Sequence, residues 1–494
     1  MTAGKRTVLT LARRGAPKPL APDDLSVEVG HFDVLLPCRQ FKVEHKVAVV
    51  GQISLTTEFL LRLLYSVDAM SEDDARHFFG FSEHEMTFVL KEAEAKSYIE
   101  RIDGRLSLTE FGRNLFTDSD KPQIFEVEKN VERAGFDLLS MAPAEREYLS
   151  DFDFALPELE LKDAEMVANA SRFVPEAFRK HFFELVARRE RDGGIRKSLY
   201  SVDGISPEDR FSTVVPVIAM APAKRPSQAA TSLDGWKAGH ELDDRTAVVH
   251  AAAAFLDLQQ LPSTIEAESA YELLVEVAGD YLKEFVTRTG LSVGRFCAET
   301  ASRAGEFRVD RPTIGLVGPL YTATNRGRLA EALDHAARRT PLSGSATWLF
   351  PQLPLWGACR GLPKIVQQLR GRLRNSKDEE SANNVIGLTA GKPPSHLWKA
   401  FGTIAALPSK HELPGCLEVL LIPGGVAAML VHAPIGAQRG FPVPLGVLSF
   451  DPEVVKRVAV VLARLLPDEL PLPAGPHSTL NLLSPPAATA AALE

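Results

Sequence analysis

SEDDARHFFGFSEHEMTFVLKEAEAKSYIERIDGRLSLTEFG, Ser71 to Gly112, decides the reading of the N-terminal part. Ser71 followed by Glu72, Asp73 and Asp74 is a helix start, and Gly80 is a helix stop. Ser82 with Glu85 three residues on is a capping box, which opens another helix to about Lys96. Asp103-Gly104 separates the runs Tyr98–Ile102 and Arg105–Leu108, the signature of a two-residue hairpin turn. Just upstream, Thr56 and Thr57 can cap a helix with Phe59, Leu60, Leu63, Leu64 and Val67 on its buried side.

Three helices and a hairpin, closed by Leu108-Thr109-Glu110-Phe111-Gly112, resemble the winged-helix superfamily over about residues 51–117. The resemblance implies a third helix in the major groove and a hairpin against phosphate. The charge points elsewhere. Residues 51–120 hold 14 acidic and 7 basic side chains, a balance of −7. Glu83, Glu85, Glu92 and Glu94 outnumber Lys91 and Lys96 on the third helix, and the hairpin offers only Arg101 and Arg105. Affinity for DNA rests mostly on neutralised phosphates. A domain over residues 36–120 is therefore expected to contact protein, not DNA.

The chain has 494 residues, 45% apolar and 24% charged, with a net charge of −8. That excludes a disordered, collagenous or disulfide-scaffold protein. An acidic chain needs a local basic patch to hold nucleic acid. Cys38, Cys297, Cys359 and Cys416 form no CxxC pair, which argues against a zinc knuckle or disulfide framework and for a reducing cytoplasm. Residues 1–35 read as a flexible basic arm with Lys5, Arg6, Arg13 and Arg14; its apolar run is too short for a signal-peptide core. The most apolar window, Leu417 to Ala433, is broken by Glu418, Pro423, Gly424 and Gly425, so it reads as a buried hairpin and not a membrane span. Residues 121–310 are expected to be mainly helical with a few strands. One helix is expected from Pro175 to about Arg191, and Ser206-Pro207-Glu208-Asp209 reads as a turn. Residues 311–470 alternate strand and helix. The expected class is therefore α/β, with a C-terminal layered domain around a mostly parallel sheet. The Pro/Ala-rich residues 471–494 read as a disordered tail.

The chain's chemistry is sparse. Leu417-Glu418-Val419-Leu420-Leu421-Ile422-Pro423-Gly424, with the later Leu445-Gly446-Val447 and Asp451-Pro452, resembles a phospholipase D-like domain. In that family a strand carries His-x-Lys-x4-Asp before a hairpin. Here the matching positions hold Leu417, Val419 and Gly424. The resemblance thus implies a degenerate copy without the imidazole nucleophile or the cation that phosphodiester attack needs. Gly315-Leu316-Val317-Gly318 lacks the Lys-Ser/Thr of a phosphate loop and reads as a tight strand-to-helix turn, with Asn325 capping the helix that follows. His240, Glu241, Asp243 and Asp244, with His250, form the densest metal-compatible cluster; against that, Asp243 or Asp244 can simply cap a helix near Arg245. No cofactor motif is present. From Gly361 to Lys377 there is no acid, while Lys364, Arg370, Arg372, Arg374 and Lys377 are basic, so this helix and the N-terminal arm are the expected nucleic-acid contacts.

Three functions fit. The first is a non-enzymatic accessory subunit of a bacterial nucleic-acid-processing or antiviral-defence complex, contacting protein through the winged helix and DNA or RNA through the basic helix. The second is a ligand-responsive winged-helix transcription regulator. The third is an enzyme of unrecognised type. No membrane partner is expected.

Overall fold

The computed structural model describes residues 25–50, 54–116, 122, 125–187, 197–236, 241–288, 290–302, 311–340, 342, 344–373, 384–408, 413–436, 438–472 and 475–485. Strands of three or more residues are β1 Ser26–Val50, β2 Ala69–Ser71, β3 Ile99–Ile102, β4 Arg105–Leu108, β5 Phe125–Asp137, β6 Lys197–Pro222, β7 Ala230–Ser232, β8 Thr313–Val317, β9 Ala346–Leu349, β10 Val385–Ala390, β11 Ile404–Leu407, β12 Leu417–Ile422, β13 Val426–Ala433, β14 Val443–Ser449, β15 Glu469–Leu472 and β16 Gly475–Ser478. Helices of seven or more residues are α1 Leu55–Val67, α2 Glu72–Phe79, α3 Glu83–Ala95, α4 Ala170–Lys180, α5 Thr246–Asp257, α6 Ile265–Leu282, α7 Val293–Ser302, α8 Ala323–Arg339, α9 Gly361–Leu373, α10 Ser395–Phe401 and α11 Pro452–Leu465. The class is α/β. The chain forms two compact units: a smaller one, Cys38–Glu145 with Asp163–Phe211, and a larger one from the N-terminal residues to Pro37, Arg146–Lys162 and everything from Ser212.

In the smaller unit the local signals of the sequence are realised with small shifts. Ser54, not Thr56 or Thr57, caps α1, its side chain accepting from the Thr57 amide. Leu60, Leu61 and Leu64 face the core, while Phe59 and Val67 lie outward. The Ser82–Glu85 capping box opens α3, and left-handed Gly80 ends α2. Asp103 and Gly104 both take positive φ, as the tight β3–β4 turn requires. β2 adds a third strand, in the order β2-β4-β3.

The flexible arm expected over 1–35 is corrected from Ser26 on, residues 1–24 lying outside the described residues, and the stretch 121–310, expected to be mainly helical, also holds the two long strands β5 and β6. β1 begins at Ser26, and Val27, Val29, Val34 and Leu36 are buried along it. β1 pairs antiparallel with β5 from Cys38↔Asp137 to Val50↔Phe125, and the four-stranded order is β5-β1-β6-β7. β6 runs straight through Ser206–Asp209. That turn signal loses to cross-strand bonding: Arg39 Nε donates to the Glu208 carbonyl, and Arg133 pairs with the Glu208 carboxylate. The helix expected from Pro175 instead has Pro175 inside α4, and a short helix, Phe182–Ala187, follows.

The larger unit holds a seven-stranded sheet, order β8-β14-β13-β12-β9-β10-β11. Only β9–β10 and β10–β11 pair parallel; the other four pairings are antiparallel, so the expected mostly parallel sheet is corrected. Parallel neighbours need a crossover. Here α9 and α10 supply the two crossovers, whereas the turn at Gly424-Gly425 sends β13 straight back along β12. Every residue of β9, β12, β13 and β14 is buried, so both faces are covered. The stretch expected as a disordered tail from residue 471 is corrected over its described residues to 485: β15 and β16 pair antiparallel and Thr479–Leu483 forms a short helix, with Leu470 and Leu483 buried.

Between β8 and α8 the chain turns through Gly318, at φ +80°, where a Cβ would lie 2.3 Å from the Glu28 carbonyl oxygen. Thr322, not Asn325, caps α8. The Asn325 amide nitrogen instead donates to the carbonyls of Val317, Gly318 and Pro319, fixing the turn that carries Tyr321.

Candidate functional site

Glu418 is the one acid in the apolar strand Leu417–Ile422, and it is 0% exposed. Strand register explains how such a group survives burial. Glu418 lies opposite Leu430 on β13, so His432 is its diagonal neighbour on the same face. Trp348 lies opposite Leu420 on β9, which makes it the diagonal neighbour on the other side. Trp356 comes from the segment ahead of α9. Trp348 Nε1 donates to Glu418 Oε1 at 3.1 Å; Trp356 Nε1 and His432 Nε2 donate to Oε2 at 3.1 and 2.5 Å. A buried carboxylate needs such donors, because unpaired it is costly.

In the neutral ring, donation from Nε2 to Glu418 puts the free lone pair on Nδ1. The ring is 4% exposed and lines a cleft of about 560 Å3, open mouth included. Nδ1 has no hydrogen-bond partner among the described residues, and it is not sealed off from the cleft. The walls are mostly rings and prolines: Tyr321, Trp356, Phe32, Phe441, Pro319 and Pro444. Gly30 lets Phe441 in, since a Cβ there would be 2.5 Å from Phe441 Cζ. The Tyr321 hydroxyl accepts from the Gly357 amide at 3.2 Å, and burial pushes its phenol well above the usual range. Ligand sites in general have this make-up: apolar walls with few oriented polar atoms.

A second cluster lies in the same unit. His31, Asp33 and Cys359 bring ligand atoms within 4.8 Å of one another. This donor set suits zinc. In the chain as it stands, burial pushes the Cys359 thiol well above its ordinary pKa, and the Asp33 charge adds to this. Burial works against protonation of His31, but the Glu28 hydrogen bond at 2.9 Å and the Asp33 charge outweigh it and raise its pKa. Asp33 Oδ2 also accepts from the Arg360 amide at 2.5 Å, and the Arg360 guanidinium reaches Asp153 at 2.7 Å and Glu147 at 3.4 Å. The cluster is a hydrogen-bonded brace at the start of α9.

The sites expected from sequence fare unevenly. His240 lies outside the described residues; Asp243 and Asp244 fall in a 3-10 turn ahead of α5, and no side chain caps that helix. Lys5, Arg6, Arg13, Arg14, Arg374 and Lys377 also lie outside the described residues. On α9, Lys364 is exposed. Arg370, however, donates to the Phe401 carbonyl, and Arg372 pairs with Asp334. Two of the three described cations are therefore engaged by the fold, and they do not form an unengaged basic face. His396 is buried and bonds the Trp356 carbonyl at 2.8 Å. Leu417 and Val419 are buried strand residues and Gly424 sits in the turn at φ +71°.

On α3 the acids are largely engaged. Glu85 closes the capping box, Glu92 accepts from Ser54 and Thr57, and Glu94 pairs with Arg101, which also pairs with Glu72. The outward stripe is His84, Phe88, Lys91 and Ala95, with Phe88 67% exposed. On α2, Phe78 is equally exposed.

Sequence reasoning passed over Glu418 and His432. The available signal was an acid inside an otherwise apolar strand, which has to find donors once buried. Comparison with protein-family models, curated proteins and solved structures finds no match for this chain.

Proposed function

We propose that the chain is a non-enzymatic accessory subunit whose smaller unit, used as a winged helix, docks a protein partner through the outward face of α3. The observation that carries this is the Phe88 stripe. A duplex reader needs several cations on that face. This one carries an exposed phenylalanine, with Lys91 as its only Lys or Arg. The α2–α3 surface adds exposed Phe78 and the acids Glu83 and Glu85. An apolar centre rimmed by negative charge fits a partner segment that presents apolar and basic side chains. The absence of catalysis is supported by Leu417, Val419 and Gly424, which offer neither nucleophile nor cation at the positions where the phospholipase D-like family carries them.

The test places a photo-crosslinking residue at position 88 and, as a control, at exposed Phe154 of the larger unit. The partner identified at 88 is purified and titrated back. Binding weakened at least tenfold by Phe88→Glu, and not by Phe154→Glu, supports the reading. A partner crosslinked equally from both positions, or an affinity indifferent to Phe88→Glu, refutes it.

A further inference from the structure

We infer that the cleft over His432 is a binding site for a small planar ring compound carrying one N–H or O–H donor. This does not depend on the docking role of the smaller unit. Three features of the larger unit define the ligand. The walls offer ring faces and prolines, namely Trp356, Tyr321, Phe32, Phe441 and Pro444. Flat apolar rings stack or meet edge-on against such surfaces. The cleft is bounded by a short set of side chains from one unit, a setting for a small ring and not for an extended chain. The third feature selects the polar group. His432 Nε2 donates to Glu418 at 2.5 Å, so its proton is committed. In the neutral ring Nδ1 is the acceptor; it has no hydrogen-bond partner among the described residues and opens to the cleft. A ligand N–H or O–H can therefore take the place of water on it. Glu418 is the positioning residue: with Trp348 and Trp356 on its remaining lone pairs, it fixes which imidazole nitrogen meets the ligand.

The probes are indole and phenol, each paired with its capped form, 1-methylindole and anisole. Binding to the full chain is read by isothermal titration, with tryptophan fluorescence as a second readout because Trp356 lines the cleft. The parent compounds are expected to bind about tenfold more tightly than their capped forms, the worth of roughly one buried hydrogen bond. His432→Phe keeps a ring but removes the acceptor, so it should erase that preference. Leu258→Trp, at a cleft-lining residue 77% exposed and so tolerant of change, should weaken all four compounds together. Should His432→Phe not fold, the comparison of parent and capped probes on the unaltered protein still decides. Equal binding of parent and capped compounds, no saturable binding of either, or a preference that persists in His432→Phe overturns the inference.

Discussion

Replacing Glu418 by leucine removes the acceptor of three buried donors, Trp348 Nε1, Trp356 Nε1 and His432 Nε2. Each buried donor left without a partner costs about 1–3 kcal/mol, so the gross loss is about 3–9 kcal/mol. Removing a buried charge returns a few kcal/mol of that. A net destabilisation of about 3 kcal/mol is expected for Glu418→Leu. Glu418→Gln keeps the shape and one acceptor oxygen but turns an amide NH2 toward a donor, so about 1–2 kcal/mol is expected. The assay is urea unfolding followed by tryptophan fluorescence. All four tryptophans, Trp236, Trp348, Trp356 and Trp398, lie in the larger unit, so the signal reports that unit's unfolding alone. If Glu418→Leu is as stable as the parent to within about 0.5 kcal/mol, the three donors do not depend on this carboxylate and the description of the site is wrong.

Three other outcomes follow from single features. Gly318→Ala should destabilise the larger unit by about 2–3 kcal/mol in the same urea assay, because the residue needs positive φ and its Cβ would strike the Glu28 carbonyl. Burial holds the His396 imidazole below its ordinary pKa of 6.5, against the opposing hydrogen bond to Trp356. Its folded pKa is depressed, so near pH 6.5 the unfolded chain binds a proton the folded chain refuses. The stability it contributes is complete above that pH and is lost as the pH falls through the folded value; unfolding measured at about pH 7.5 and about pH 5.5 should differ less in His396→Gln than in the parent. Arg370→Ala should cost about 1–3 kcal/mol of stability through the lost bond to the Phe401 carbonyl, whereas Arg372→Ala, a surface ion pair, should cost under about 1 kcal/mol. Equal costs for the two would contradict the assignment of Arg370 to the fold.

What was legible in the sequence was local. The Ser82–Glu85 box, the Gly80 stop and the Asp103-Gly104 turn depend on residues a few positions apart, and they stand as read. The partner of β1 lies far along the chain at β5, and long-range pairing leaves no short-range mark, so the start of β1 has no local signature that separates it from an arm. The strand–helix alternation of residues 311–470 was readable, but strand direction depends on which strands become neighbours, and β14 inserts between β8 and β13. The basic stretch from Lys364 was visible as composition. That Arg370 and Arg372 turn to Phe401 and Asp334 depends on distant segments. The Glu418 site draws its four members from β9, β12, β13 and the segment before α9, so no spacing rule finds it.

The proposed use of α3 as a protein-contact face is tested most directly by titrating labelled duplex DNA of mixed sequence, at low and moderate salt, with the parent chain, Lys91→Glu and Phe88→Glu. With a protein-contact face, any DNA affinity the chain has stays within about twofold in both variants, and its salt dependence is unchanged. A tenfold loss in Lys91→Glu, with the log-log salt slope reduced by about 0.9, would place phosphate on α3 and contradict the account.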